Sequence, residues 1–176
     1  MFSIQRIMPV RGSAIHKAGL LPSLVATALL LTRQKVPPVP RQSSGELADP
    51  RKGAYLVVGG DHPDAVLAAT GSELQLALAA CETLRAEGKA INVVSIPCLE
   101  ILMEQDPSYA KRLFPVGVPV ATIEAGSTDP WGCLAGPDGL MIGIDGFGAS
   151  APSGILAEKF GLTPELVTTR IRAWLG

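Results

Sequence analysis

Histidine and cysteine are scarce in this sequence, which limits the chemistry that it can carry. The chain has only two histidines, and none follows His62, so catalysis built on an imidazole is poorly supplied. The three cysteines, Cys81, Cys98 and Cys133, have neither metal-site spacing nor an even number for pairing, and they indicate reduced intracellular thiols. We predict no metal site in this chain.

Charge is also sparse, and the formal net charge of −1 gives no electrostatic argument for nucleic-acid binding. Its distribution is uneven, because the first 45 residues carry six basic residues and no acidic one. From Glu46 onward, 16 acidic residues stand against nine basic ones. This change predicts two units, an N-terminal arm over residues 1–45 and a domain over residues 46–176.

Long apolar runs are missing as well. Residues 20–31 form a mostly apolar run of 12, whereas a membrane-spanning helix needs about 20. The basic flank allows an organelle presequence or a signal peptide, but no small-residue cleavage site follows. A buried strand over residues 27–31 is favoured, followed by a proline-rich linker over residues 35–49. We expect a cytoplasmic protein without a membrane partner.

The clearest structural signal lies between residues 65 and 96. Residues 65–69 form a continuous apolar run, which is typical of a strand buried on both faces. Apolar residues then recur at helical spacing over residues 74–84, and Gly88 ends the helix. A second apolar strand follows over residues 91–96. Strand, helix and strand in about 30 residues predict a βαβ unit with parallel strands.

The rest of the chain adds further elements to this unit, except residues 1–19, which show neither strand nor helix periodicity. The pattern predicts strands near residues 54–58, 119–123 and 140–144, and helices over residues 100–105, 107–114, 153–160 and 164–175, the last capped by Thr163. The prediction is therefore a three-layer α/β/α domain with a mostly parallel sheet of about five strands.

The loops after these strands supply candidate site residues, because such folds bind ligands there. Thr70 and Ser72 each have a partner three residues on, Glu73 and Gln75, so two overlapping capping boxes are possible. The same helix start could bind an anion, or it could be plain architecture. It is neither a P-loop nor a dinucleotide-binding motif.

Four more residues in these loops allow alternative interpretations. Glu124 and Asp145 could form a carboxylate pair or be solvated acids at strand ends, and residues 124–127 could equally be a helix cap or a loop lock. Trp131 and Phe147 lie in glycine-rich loops, where large aromatic side chains either contact a partner protein or pin the loop to the core. No serine lies in a nucleophile elbow, and we predict no catalytic or cofactor-binding residue in this chain.

Six short motifs then occur in an informative order. They are TRQKVP at 32–37, KGAY at 52–55, ATGSE at 69–73, VSIP at 94–97, EAGS at 124–127 and FGASAP at 147–152. Together these resemble the C-terminal part of transketolase, the thiamine-diphosphate enzyme that moves two-carbon ketol units between sugar phosphates in the pentose phosphate pathway. The resemblance covers roughly residues 28–176, and residues 1–26 show none. The first and last motifs favour transketolase over 1-deoxyxylulose-5-phosphate synthase and the pyruvate dehydrogenase E1 β chain.

The resemblance implies that the cofactors and this chain belong to different domains of the complete enzyme. It covers only the third domain of the family, with residues 27–45 as the end of the pyrimidine-binding domain. Thiamine diphosphate and magnesium would lie in the other domains of the complete enzyme, since no Gly-Asp-Gly signature occurs here. The family motif implies that Arg33 contacts the substrate phosphate. The implied partner is a second copy in a homodimer, or a chain carrying the cofactor domains.

The expected function is therefore the C-terminal portion of a transketolase, inactive alone. The unmatched residues 1–26 suggest a truncated or frame-shifted gene product, or else a natural split subunit. The alternative is a non-catalytic assembly subunit that binds its partner through Trp131 and Phe147. A third hypothesis is a small anion-binding regulatory module at residues 70–73.

Overall fold

The computed structural model describes residues 4–10, 26–31, 36–40 and 45–176, which contain seven strands and six α-helices. The strands are β1 (Ile4–Val10), β2 (Ala26–Leu31), β3 (Tyr55–Val58), β4 (Ala65–Ala69), β5 (Ile91–Ser95), β6 (Val120–Ile123) and β7 (Leu140–Ile142). The helices are α1 (Leu74–Ala86), α2 (Leu99–Met103), α3 (Pro107–Leu113), α4 (Gly132–Ala135), α5 (Ser153–Phe160) and α6 (Pro164–Leu175). Short 3-10 helices cover Glu46–Ala48, Pro50–Lys52, Gly71–Glu73 and Asp129–Trp131.

Five strands form the main sheet, in the order β3-β5-β4-β6-β7. The strand β4 is central and pairs in parallel with both β5 and β6, and β6 pairs in parallel with β7. The strand β3 runs antiparallel to β5 at one edge. The predicted mostly parallel sheet of about five strands is therefore confirmed, and so are the parallel strands of the βαβ unit.

Each face of this sheet carries its own apolar core, because the side chains of a strand alternate between faces. Leu67 of β4 packs with α1 and α6, through side chains such as Leu84 and Ile171. Val66, one residue earlier, packs on the opposite face with α2 and α3, through side chains such as Leu102 and Tyr109. The predicted three-layer α/β/α arrangement is thus confirmed.

The start of α1 differs from the prediction. The Thr70 side chain makes no capping hydrogen bond, and the Ser72 hydroxyl donates to Glu73 instead. A 3-10 turn over Gly71–Glu73 precedes α1, and the possible capping box that begins at Thr70 is not formed. The prediction for α6 is confirmed, because the Thr163 hydroxyl accepts a hydrogen bond from the Leu166 amide at 3.3 Å.

The strands β1 and β2 form a separate two-stranded antiparallel sheet. The strand predicted over residues 27–31 is confirmed as part of β2, although its burial falls outside what the structure describes. The prediction that residues 1–19 form no strand is wrong, because Ile4–Val10 form β1. Pro9, which cannot donate a hydrogen bond to a neighbouring strand, weakens the strand signal there.

The linker reaches the domain through close contacts. Residues 36–40 have no regular structure, and Val39 is half-buried against the core that contains α1 and α6.

Gly53, at the start of the domain, has φ +83°, and a Cβ atom there would lie 2.4 Å from the Leu102 backbone nitrogen. The boundary near residue 45 stays a prediction. Among the described residues, no helix is long and apolar enough to cross a membrane.

Candidate functional site

The candidate site lies at the carboxyl ends of three neighbouring parallel strands, β4, β6 and β7. The loops that follow them meet there, because parallel neighbours end at the same edge of a sheet. The Glu124 amide donates to the Ile142 carbonyl at 3.0 Å, and the Ile144 amide donates to the Gly126 carbonyl at 2.7 Å. The loops after β6 and β7 are therefore joined through their backbones.

Glu73 brings a carboxylate from the loop after β4 to this edge. The Ser72 hydroxyl donates to Glu73 Oε1 at 2.8 Å. Burial raises the pKa of the Glu73 carboxyl above its ordinary value, and the nearby charge of Glu124 raises it further. Hydrogen bonds from Ser72 and from the Ala125 amide oppose this rise. Glu73 and Glu124 therefore interact as like charges across two loops.

Glu124 is also tied to the aromatic residue of its own loop. The Trp131 indole Nε1 donates a hydrogen bond to the Glu124 carboxylate. Trp131 is only 6% exposed and belongs to the apolar core that contains Tyr109 and Leu113. The structure therefore supports loop pinning for Trp131 and the loop lock for Glu124, two of the alternatives that the sequence left open.

Asp145, after β7, binds Thr128 in the loop after β6. The Thr128 amide donates to Asp145 Oδ1 at 2.8 Å, and the Thr128 hydroxyl lies 2.9 Å from both carboxylate oxygens. These hydrogen bonds, led by the one from the amide, lower the pKa of the Asp145 carboxyl below its ordinary value. The hypothesis that Glu124 and Asp145 pair is thus corrected, since Thr128 holds Asp145 and Trp131 holds Glu124.

This edge is poorly suited to an anion. Two carboxylates, those of Glu73 and Glu124, lie beside the start of α1, and their negative charge opposes an anionic ligand there. The hydrogen bonds of Ser72 and Trp131 go to these carboxylates. The geometry holds three loops together, and it favours the architectural interpretation of residues 70–73 over the regulatory one.

The remaining predicted site residues fall in different places. Phe147 is fully exposed in the loop between β7 and α5, so its side chain is accessible to a partner. Arg33 lies outside the described residues, and its predicted phosphate contact stays a prediction. The sequence analysis missed Thr128, and it treated Glu73 only as a helix cap. The strand order places β4 beside β6, so the loops that carry Glu73 and Glu124 are neighbours. The sequence alone does not reveal this proximity.

The fold and this edge define a three-layer α/β domain whose strand-end loops are locked together. Comparison with known families then gives a specific match: residues 53–163 match the Transketolase-like TK C-terminal domain. The chain belongs to the transketolase family.

Curated relatives agree with this assignment. The chain is 44% identical over 145 residues to a chloroplastic transketolase of Craterostigma plantagineum, covering 80% of this chain and 27% of the relative. It is 42% identical to the chloroplastic transketolase of Solanum tuberosum, over 86% of this chain and 21% of the relative. The chain thus spans about a fifth to a quarter of these relatives. A match to the Zea mays chloroplastic transketolase, at 35% identity, covers 99% of this chain and 26% of the relative, so it extends into residues 1–26.

Solved structures share the fold. A Pichia stipitis transketolase in complex with sedoheptulose-7-phosphate superposes with a TM-score of 0.72 at 34% identity, covering 82% of this chain and 21% of the other. The transketolase from Leishmania mexicana gives a TM-score of 0.66 at 39% identity, covering 71% and 18%. A structure titled split gene transketolase, inactive beta4 tetramer, gives 0.59 at 23% identity, covering 82% and 48%, and shows the shared fold alone.

Proposed function

We propose that this chain forms the C-terminal part of a transketolase, and that the complete enzyme transfers two-carbon ketol units between sugar phosphates in the pentose phosphate pathway. The match of residues 53–163 to the Transketolase-like TK C-terminal domain carries this proposal. Because the chain spans only about a fifth to a quarter of its curated relatives, the activity is assigned to a larger assembly. The 176 residues by themselves are expected to transfer no ketol units.

Thiamine diphosphate and magnesium are the cofactors proposed for the complete enzyme. A magnesium–diphosphate site needs several oxygen ligands in a small volume. Within the described residues, no three His, Cys, Asp or Glu side chains come together in a way that could hold a metal ion. The described carboxylates at the strand ends are bound by Ser72, Trp131 and Thr128. These residues do not fit the cofactor, and no catalytic step is assigned to them.

The proposed contact between this chain and the substrate is Arg33. A guanidinium presents two N–H groups in a fixed fork, which matches the oxygens of a phosphate. Arg33 lies in the TRQKVP motif, two residues after the end of β2. Its proposed role rests on that motif and on the chemistry of the side chain.

The proposed partner is a second copy in a homodimer, or a chain that carries the cofactor-binding domains. The loop between β7 and α5 and the start of α5 offer it an apolar contact, because Phe147 in the loop is fully exposed and Ile155 in α5 is 57% exposed. Trp131 would support that contact from beneath the surface, by fixing the neighbouring loop.

The alternative is a non-catalytic assembly subunit of a split transketolase-type enzyme. The exposed Phe147 side chain is the observation that favours it. In that case the chain would bind and stabilise its partner, and Arg33 would contribute nothing to turnover. Cytoplasmic localisation stays a proposal, since several relatives are named as chloroplastic.

Reconstitution tests both proposals. The chain is assayed for ketol transfer with thiamine diphosphate and magnesium, first alone and then with potato chloroplast transketolase from which the matching C-terminal region has been removed. We expect no turnover from either protein alone and turnover from the mixture. Turnover by the chain alone would contradict the proposed inactivity, and a mixture that neither associates nor turns over would contradict the C-terminal role.

Matched variants separate the two roles. In the reconstituted enzyme, Arg33→Ala should raise KM for the sugar phosphate, whereas Arg41→Ala, in the same basic N-terminal arm, should leave it unchanged. Phe147→Ala should weaken association, whereas Val116→Ala, an 88% exposed residue of another loop, should not. If Arg33→Ala changes neither KM nor kcat while Phe147→Ala lowers assembly, the assembly-subunit alternative is supported instead.

A further inference from the structure

A cleft of about 420 Å³ lies at the opposite edge of the sheet, near the start of β4 and β5. It is bounded by the loop that links β3 to β4, by the end of α1 and by the turn into β5. Its size falls in the range of small-ligand sites, which is about 300–1,000 Å³. The residues that line it include Gly60, Asp61, His62, Arg85 and Lys89.

The walls of this cleft are held by hydrogen bonds between its two sides. The Gly60 amide donates to Asn92 Oδ1 at 2.9 Å, and Asn92 Nδ2 donates to the Gly60 carbonyl at 3.1 Å. The Asp64 amide donates to the Ala90 carbonyl at 2.6 Å, and the Ala90 amide donates back to Asp64 Oδ2 at 2.6 Å. Asn92 is only 5% exposed, so this bracing is internal. The cleft is therefore largely formed before any ligand binds.

The cleft is lined by cationic side chains and by one exposed carboxylate, that of Asp61. Arg85 uses Nε and Nη2 to bind the Ile91 carbonyl, at 3.1 and 2.6 Å, which fixes its guanidinium at the wall and leaves Nη1 available. Lys89 and His62 line the same space. Asp64 is held by the Ala90 amide, whereas Asp61 is exposed on the loop.

This pattern indicates a ligand with both an anionic and a hydroxylated part. Arg85, Lys89 and His62 can donate to a phosphate group. The Asp61 carboxylate would repel a second phosphate but can accept hydrogen bonds from sugar hydroxyls. We propose that the cleft between residues 59–63 and 85–92 binds a small phosphorylated sugar, with the phosphate at Arg85, Lys89 and His62 and a hydroxyl at Asp61. The residues proposed to bind this ligand do not include Arg33, and the proposal does not depend on the proposed function.

The full 176-residue chain, labelled with ¹⁵N, tests the proposal by amide shifts on titration with glucose 6-phosphate, inorganic phosphate and glucose. We expect saturable shifts at Gly60, Gly88 and Lys89 with glucose 6-phosphate, weaker ones with inorganic phosphate and none with glucose. Equal binding of phosphate and glucose 6-phosphate would overturn the sugar part of the proposal. No shift at these amides with 10 mM glucose 6-phosphate would overturn all of it.

Variants separate this cleft from Arg33. The double variant His62→Ala/Lys89→Ala, which leaves the bracing bonds intact, should weaken glucose 6-phosphate binding by about tenfold or more, as expected for lost charged hydrogen bonds. Asp61→Asn should weaken glucose 6-phosphate but not inorganic phosphate. Lys159→Ala, a surface control on α5, should change neither. Binding that survives in the double variant but disappears with Arg33→Ala would place the phosphate at Arg33 and overturn the proposal.

Discussion

Glu124 and Trp131 are joined across the loop after β6 by a hydrogen bond from the indole to the carboxylate. The indole is buried in the core on the α2–α3 face, while the carboxylate lies at the strand-end edge of the sheet. One side chain thus connects a core to a loop cluster. The loop cannot leave the edge without breaking this bond or uncovering Trp131.

Trp131→Phe tests this bond, because it removes the N–H group and keeps most of the ring. We expect the free energy of unfolding to fall by about 1.5–3 kcal/mol, the range for a hydrogen bond to a charged group plus some lost packing. Urea unfolding measures it. Trp174→Phe is the control, since Trp174 Nε1 donates to the neutral Asp138 carbonyl at 3.0 Å. It should lose about 0.5–1.5 kcal/mol, and equal losses would contradict the charged bond.

Glu73→Gln tests the carboxylate interaction through pH. The pKa of Glu73 is raised in the folded protein by burial, so the folded state holds its proton to higher pH than the unfolded state does. The contribution of Glu73 to stability is therefore complete below its ordinary value of 4.5 and is lost as pH rises through the folded pKa. The variant should lack this fall.

Urea unfolding between about pH 4 and pH 8 measures the effect of Glu73→Gln, with Glu82→Gln on the exposed side of α1 as the control. Stability of the wild-type chain relative to Glu73→Gln should decrease as pH rises, whereas its stability relative to Glu82→Gln should not follow that trend. Parallel pH profiles for all three proteins would show that Glu73 does not hold its proton as proposed.

Gly53→Ala tests the close approach between the start of the domain and α2. A Cβ atom at Gly53 would lie 2.4 Å from the Leu102 nitrogen and 2.5 Å from the Cys98 carbonyl oxygen, both of them backbone atoms. The matched control is Gly45→Ala, where φ is +79° but no atom lies within 4 Å of the added Cβ. The control carries backbone strain of about 1–3 kcal/mol without any clash.

Thermal unfolding of both variants separates clash from strain. Gly53→Ala should lose several kcal/mol more than Gly45→Ala, because backbone on both sides of the clash must shift. A Gly53→Ala variant as stable as the Gly45→Ala control would mean that Gly53 and α2 are not packed as described.

Thiol labelling tests the burial of the cysteines. Cys133 is exposed, whereas Cys81 and Cys98 are 3% and 1% exposed. Burial also raises the pKa of both buried thiols, which lowers the fraction of reactive thiolate. A maleimide should therefore add once to the native chain and three times in denaturant, as counted by intact mass. Cys133→Ser is the control, and it should remove the fast native addition; rapid double labelling of that variant would contradict the burial.

Local sequence patterns predicted the elements of the main sheet well. Residues 65–69 form a continuous apolar run and residues 91–96 a mostly apolar one, and both patterns are typical of covered strands. Thr163 and Pro164 likewise marked the start of α6. These patterns are formed by consecutive residues. They predicted the structure correctly because the core covers both faces of the sheet.

The site was harder to predict, because its contacts join residues far apart in the sequence. Thr128 and Asp145 are 17 residues apart, and only the pairing of β6 with β7 brings their loops together. The interaction of Glu73 with Glu124 depends on the pairing of β4 with β6 in the same way. The capping box at Thr70 did not form, because the chain makes a 3-10 turn over Gly71–Glu73 before α1 begins.

Helix α6 limits where this chain can be truncated. The family match stops at residue 163, one residue before α6 begins. Yet Val167 and Ile171 of that helix are fully buried against the core of α1, and Arg172 pairs with Glu87 beyond the end of α1. A fragment that ends at the boundary of the family match would therefore expose an apolar surface along α1, and we expect it to aggregate during expression.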